Sequence, residues 1–163
     1  MKMLAALIAM VAFAACAPVD APAQENDAMI TMSRTACYGT CPIYSVSISG
    51  DGEVVYNGRG FVHAVGERRA QIPAADVSAL LRRFDEIGFM QLQDEYRARI
   101  TDHPSTIVTL TRGGQSKRVV DYAGTRAGMP EAVRELQAEI DRVARTDQWV
   151  LRDGQPVRTP PQP

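Results

Sequence analysis

Tyr44-Ser45-Val46-Ser47-Ile48-Ser49-Gly50-Asp51-Gly52-Glu53-Val54-Val55-Tyr56-Asn57 decides the fold class of this chain. Tyr44, Val46 and Ile48 alternate with serines, the period-two pattern of a strand with one buried face. Gly50-Asp51-Gly52 is a turn signal. Val54 and Tyr56 then return on one face, so residues 43–57 read as a β-hairpin. Upstream, Met29 to Thr35 supplies a further strand. Downstream, Gly58 and Gly60 break the hairpin, and Phe61 to Val65 reads as a fourth strand.

The period then changes. Val77, Leu80, Leu81, Phe84 and Ile87 fall at helical spacing, with Pro73 suited to the first turn and Gly88 to the stop. Thr106 to Leu110 and Arg118 to Tyr122 flank Gly113-Gly114 and form a second hairpin. Pro130 opens a last helix, in which Val133, Leu136, Ile140 and Val143 share one stripe, and Trp149 and Val150 pack back after it. The order ββββαββα predicts an α+β domain: an antiparallel sheet with two amphipathic helices packed on one face. No internal repeat and no second domain is visible.

Outside this block the chain changes character. Met3 to Phe13 is apolar behind Lys2. As a helix it would rise about 16 Å, half of a ~30 Å hydrocarbon core, which suits a secretory h-region and not a lasting membrane span. Phe13-Ala14-Ala15-Cys16 resembles the bacterial lipoprotein signal, with Phe13 where Leu is usual. That resemblance implies cleavage before Cys16 and lipid on its sulfur and new amino group. Two or more acyl chains give stable anchoring. Ala17 after the cysteine implies sorting to the outer membrane, facing the periplasm, with the inner membrane the lesser alternative. Residues 1–15 are thus the expected leader and 16–28 a lipidated tether with almost nothing to bury, reaching about 35 Å if extended. Residues 29–152 are the expected domain and 153–163 a Pro-rich disordered tail. With 18 Lys and Arg against 19 Asp and Glu, the net charge is −1. Its basic pairs are scattered, which argues against a nucleic-acid partner.

Export places Cys37 and Cys41 where disulfides persist. Gly39 permits the tight turn between them and Pro42 fixes the exit. A structural disulfide is the first reading. A redox-active pair is the second, although the spacing is C-x-x-x-C and no thioredoxin-like βαβ pattern surrounds it. A zinc site from Cys37, Cys41, His63 and His103 is the third, and oxidised cysteines do not bind metal. Ser33 to Tyr44 (SRTACYGTCPIY) resembles the opening box of a bacterial family known as domain of unknown function 6438. The pattern continues through Gly50-Asp51-Gly52, Val54, Tyr56, Gly58, the Thr101-Asp102-x-Pro104 turn and Asp121-Tyr122, and spans Met32 to Trp149. The resemblance implies a small exported protein or lipoprotein and carries no activity with it.

Candidate chemistry is sparse. His63 alternates with Phe61 and Val65 as a core or half-exposed residue. Asp102-His103-Pro104-Ser105 offers an acid, a base and a hydroxyl, but neighbours along a turn do not converge as a triad must, and no G-x-S-x-G elbow is present. Asp51 is a turn residue without calcium-loop spacing. Tyr38 and Tyr44 flank the cysteine pair, either as a contact surface or packed on the sulfurs. The expectation is a lipid-anchored, non-enzymatic envelope domain without metal or cofactor. Its partner would be an envelope protein or peptidoglycan, met through Tyr38, Tyr44, Asp102 and His103. The alternative is a periplasmic thiol–disulfide factor acting through Cys37 and Cys41.

Overall fold

The computed structural model describes residues 27–159. The expected leader, the expected lipidation position Cys16 and all but the last two residues of the expected tether lie outside the described residues, as do residues 160–163. In chain order the elements are β1 (Met29–Arg34), β2 (Ile43–Ser49), β3 (Glu53–Gly60), β4 (Gly66–Gln71), α1 (Ala74–Glu86), β5 (Glu95–Arg97), β6 (Thr106–Arg112), β7 (Gln115–Tyr122) and α2 (Glu131–Ala144). The one-turn α3 (Asp147–Val150) and a small hairpin of β8 (Leu151–Arg152) and β9 (Gln155–Pro156) follow.

Seven strands form one sheet in the order β4-β3-β2-β1-β6-β7-β5. Every pairing is antiparallel except β5 with β7. The first strand therefore lies at the centre, and the two predicted hairpins flank it. Register follows the hydrophobic alternation. Ile30 lies opposite Ile48 and Leu110, and Met32 opposite Val46 and Val108. Each of these is at most 1% exposed. Val77, Leu80, Leu81 and Phe84 of α1 join Val133, Leu136 and Ile140 of α2 in the same cluster, so the α+β layer stands as the sequence predicts. A period-two strand cannot place both sets of side chains in one core. The intervening Thr31, Ser33, Ser45, Ser47 and Thr109 accordingly take the opposite face and are half-buried.

Both helices begin behind a proline at φ near −60°, Pro73 and Pro130. Its ring fixes the angle a first turn needs. Gly88, left-handed at φ 62°, follows α1.

Three expectations shift. Phe61 to Val65 is not the fourth strand. Phe61 takes φ 53°, incompatible with extended backbone, and His63 and Ala64 donate their N–H groups to the carbonyls of Val150 and Trp149. The strand lies at Gly66–Gln71. It is an edge strand whose Glu67, Arg68, Arg69 and Gln71 are all exposed, and charge on an edge protects it against pairing with other chains, so it carries no hydrophobic alternation. β5 has only three residues and one buried side chain, Tyr96, too little to make a period. Residues 153–159, expected in the tail, contain β9 and a Val157 only 7% exposed.

Candidate functional site

Along β1 the core-facing positions are Ile30, Met32 and Arg34. The third keeps the phase but not the polarity. Its register neighbours do the same. Arg34 lies opposite Tyr44 and Thr106, Thr106 opposite Asp121, and Tyr44 opposite Gly58. One row at the end of the sheet where β1 and β7 finish and β2 and β6 begin is therefore polar on the face that is otherwise core. α2 meets this row with Gln137 and Asp141, one turn apart.

Arg34 and Asp141 hold the row together. The guanidinium Nη2 donates to Asp141 Oδ2 at 2.7 Å, Nε reaches the same oxygen at 3.2 Å and the Tyr44 hydroxyl oxygen at 2.9 Å, and Nη1 donates to Thr106 Oγ1 at 3.1 Å. Asp141 Oδ1 accepts from the Tyr44 hydroxyl at 2.6 Å and from Thr146 Oγ1 at 2.7 Å. Both carboxylate oxygens are thus doubly occupied. Further along, Asp121 Oδ1 accepts the Gly124 N–H at 2.7 Å and Oδ2 accepts Gln137 Nε2 at 3.0 Å. Asp121 and Gln137 are 8% and 5% exposed.

The electrostatics follow from this packing. Burial raises the Tyr44 phenol, and the adjacent Asp141 carboxylate raises it further, against the opposing pull of Arg34. Tyr44 therefore stays a neutral donor. Burial works to lower the Arg34 pKa, but Tyr44 and Asp141 outweigh it and the net shift is upward, so the guanidinium is charged at every relevant pH. Burying such groups costs free energy unless each is bonded. Even a well-bonded buried ion pair is often no more stabilising than apolar side chains of the same volume. Stability alone does not explain a polar row in core positions.

The row divides two hollows. On the Asp141 side an open groove of about 690 Å³ runs along Tyr44, Arg145, Gln148, Val150 and Leu151. On the Arg34 side lies a more enclosed cavity of about 310 Å³, walled by Arg34, His103, Asp121, Arg126, Arg134 and Gln137.

The residues singled out from sequence fall around this row in three places. Cys37 and Cys41 are bridged, with Cα atoms 5.8 Å apart, in the loop that joins Arg34 to Tyr44. Tyr38 at the loop tip is 91% exposed, and its N–H donates to the Asp102 carbonyl at 3.3 Å. The loop containing Asp102 and His103 is pinned beside it: Thr35 N–H bonds Ser105 O, and Ser105 N–H bonds Thr35 Oγ1 at 2.8 Å. His103 sets its Nδ1 2.7 Å from Pro104 O, and its ring meets Tyr122 edge-on at 5.6 Å. Tyr38, Asp102 and His103 are thus close neighbours, and His103 alone of them also walls the smaller cavity. Tyr44 points the other way. It is 3% exposed, so it presents no contact surface, and it packs on Tyr56 with ring centroids 5.5 Å apart. His63 is exposed, and Arg152 Nε lies 3.4 Å from its Nδ1. Among the described residues no group of three or more His, Cys, Asp or Glu side chains is placed to hold a metal.

A family model, "Domain of unknown function (DUF6438)", matches residues 28–144. The chain belongs to the DUF6438 family. No curated protein matches it. The DUF6438 segment takes in the disulfide loop and the polar row from Arg34 to Asp141, and ends just before Thr146, which completes the Asp141 bonding, and Trp149.

Motifs mark Arg34 and Asp121 only as members of the family pattern and Thr106 only as a strand start, and none of these, nor Gln137 or Asp141, as a site residue. The available signal was phase. Arg34 continues Ile30 and Met32, Thr106 precedes Val108 and Leu110, and Asp121 follows Val119, each two residues along its strand. Polar residues in core phase at the same end of three strands mark a site before any contact is seen.

Proposed function

We propose that this DUF6438 protein is a lipid-anchored binding domain of the bacterial cell envelope, without catalytic activity of its own. One observation carries the binding reading: a polar row in core phase, covered by α2 and flanked by two hollows. Ligand sites are concave and present a few fixed polar groups, and this row supplies them on strands and a helix. The non-enzymatic reading rests on how Asp141 is used. A general base needs a lone pair free for the proton it takes, and all four hydrogen bonds to Asp141 come from the protein. The anchor rests on the leader pattern ending at Cys16, and the Cys37–Cys41 bridge agrees with an exported chain.

Two measurements test it. Changing Cys16→Ser should move the protein from the membrane fraction to the soluble periplasmic fraction and remove acyl labelling; a variant that stays acylated and sediments with membranes refutes the anchor. Affinity capture from solubilised envelopes, with the natural lipidated protein as bait, should enrich one specific envelope protein or peptidoglycan fragment. Capture that is indistinguishable from an unrelated lipoprotein bait refutes the binding role.

A further inference from the structure

We infer that the smaller cavity is a site for the terminal carboxylate of a peptide. The inference deepens the binding reading above and rests on it.

Three guanidinium groups from three separate elements meet at this cavity: Arg34 from β1, Arg126 from the 124–127 turn and Arg134 from α2. Arg34 is already neutralised by Asp141 at 2.7 Å. Arg126 and Arg134 have no ion-pair partner among the described residues. A planar guanidinium matches a carboxylate in a two-bond fork, and Arg126 and Arg134, which line the cavity and are exposed, are the two groups open to one.

The inner wall sets the charge of the ligand. Asp121, held by Gly124 N–H and Gln137, contributes one negative charge. Set against the two unpaired arginines, it leaves a local excess of one positive charge. A monoanion such as a single carboxylate balances that excess. The same wall presents acceptors. Both Asp121 oxygens already act as acceptors, and Gln137 keeps its carbonyl oxygen once Nε2 is committed to Asp121. Acceptors beside these cationic groups suit a carboxylate whose next groups are N–H donors, which is the order of groups at the end of a peptide. The volume, about 310 Å³, is at the small end of ligand pockets and admits the end of a peptide, not an extended segment. Such an end can come from a protein C-terminus or from a peptidoglycan stem peptide, which share this chemistry and differ in the handedness of the last residues.

The test uses the full lipidated protein in detergent, followed by calorimetry or fluorescence anisotropy. The probes are an acetylated tripeptide ending in L-Ala-L-Ala, its C-terminal amide, the same peptide ending in D-Ala-D-Ala, and inorganic phosphate. At least one free-acid peptide should bind, and amidation should weaken it about tenfold or more, as expected for loss of a charge-assisted hydrogen bond. Preference for the D-ended peptide assigns peptidoglycan, and preference for the L-ended one assigns a protein tail. Arg126→Ala and Arg134→Ala should each weaken binding about tenfold. Both residues are exposed, so unfolding midpoints should stay unchanged, which separates loss of the site from loss of the fold. Equal binding of acid and amide, tighter binding of phosphate, or no binding of any peptide overturns the inference. Envelope capture repeated with the Arg126→Ala/Arg134→Ala variant separates the two levels. If the variant retains the wild-type partner, the carboxylate site is wrong while the binding domain stands. If neither protein captures one, both fail.

Discussion

Met32 and Arg34 are two residues apart on the same central strand and face the same side of the sheet, yet the rows they belong to are built from opposite materials. Met32 lies between Val46 and Val108 in a row at most 1% exposed. Arg34 lies between Tyr44 and Thr106, tied to Asp141 and still 28% exposed at its side chain. The first row contributes by removing apolar surface from water. The second makes no such gain and holds its place by bonding every charge. Dependence on single partners is the consequence. The Met32 row tolerates volume-conserving swaps, while each member of the Arg34 row fails if its partner is removed.

Asp141→Ala tests that dependence most strongly. It leaves the Arg34 guanidinium, the Tyr44 hydroxyl and Thr146 Oγ1 without their shared acceptor. Breaking a buried pair costs about 3–5 kcal/mol, and partial exposure here brings the expected loss to about 3 kcal/mol in urea unfolding. The contrasting double change, Arg34→Met with Asp141→Leu, should cost under about 1 kcal/mol or stabilise. If the double change is as destabilising as the single one, the row is structural and the contrast with Met32 disappears.

The loop from Arg34 to Tyr44 carries the Cys37–Cys41 bridge, so the bridge ties together the two strand ends that start the polar row. Replacing both cysteines by serine closes off that restraint at an expected cost of about 2 kcal/mol in the chain-entropy account. The Met32 row should not register it: amide exchange should speed up at the Arg34 and Tyr44 end of the sheet and not around Ile30 and Ile48. The same bridge discriminates the redox alternative. As a structural element it should stay oxidised in glutathione buffers near −250 mV. Cycling between thiol and disulfide at that potential would move the function to the cysteines.

Legibility from sequence divides along the same line. The apolar rows were readable because Tyr44, Val46, Ile48, Val54 and Tyr56 announce their phase, and the helix stripes of α1 and α2 do likewise. The α+β class follows from that phase and from little else. β4 was misplaced because an edge strand made of Glu67, Arg68 and Arg69 has no apolar phase, and Phe61-Val62 next to it has high strand propensity that loop packing overrides. Val62 and Ala64 are buried beneath the returning chain at Trp149 and Val150, a long-range contact with no local trace. In the site, Tyr38, Asp102 and His103 were noticed as unusual residues and do gather beside the disulfide. Arg34 and Asp121 stand in the family pattern without a role, and Asp141 not at all, because each alone looks like a surface charge. Only the register that sets them in one row makes them a site, and register is a property of strand pairs, not of a residue.

Tyr44→Phe should cost about 1.5 kcal/mol. The hydroxyl it removes both accepts from Arg34 and donates to Asp141, and hydrogen bonds to charged groups are worth about 1.5–3 kcal/mol. A loss below about 0.5 kcal/mol would mean that Arg34 and Asp141 hold the row unaided.

Tyr56→Phe is the smallest expected effect and the sharpest contrast, because Tyr56 stacks directly between Tyr44 and Trp149, at 5.5 and 5.0 Å, inside the apolar row. Its hydroxyl is buried and the described residues offer it no hydrogen-bond partner. The space it occupies exists because residue 58 is glycine: a Cβ there would fall 2.7 Å from the hydroxyl and 2.1 Å from Ala64 O. Removing an unbonded hydroxyl should change stability by under about 1 kcal/mol at pH 7, toward greater stability. Alkaline pH tests the burial of Tyr56 directly. Burial pushes Tyr56 up to about 12, above its unfolded value near 10, so the folded state keeps a proton that the unfolded state releases. Its contribution is therefore complete below pH 10 and is lost as pH rises from about 10 to about 12. Tyr44 shifts in the same direction. Urea midpoints at pH 9 and pH 11 should fall steeply for the wild type, and less for Tyr56→Phe, which has one fewer phenol to ionise. An equal fall in both proteins would mean that Tyr56 ionises as readily folded as unfolded, and the aromatic wall of the apolar row would have to admit water where Met32 and its neighbours exclude it.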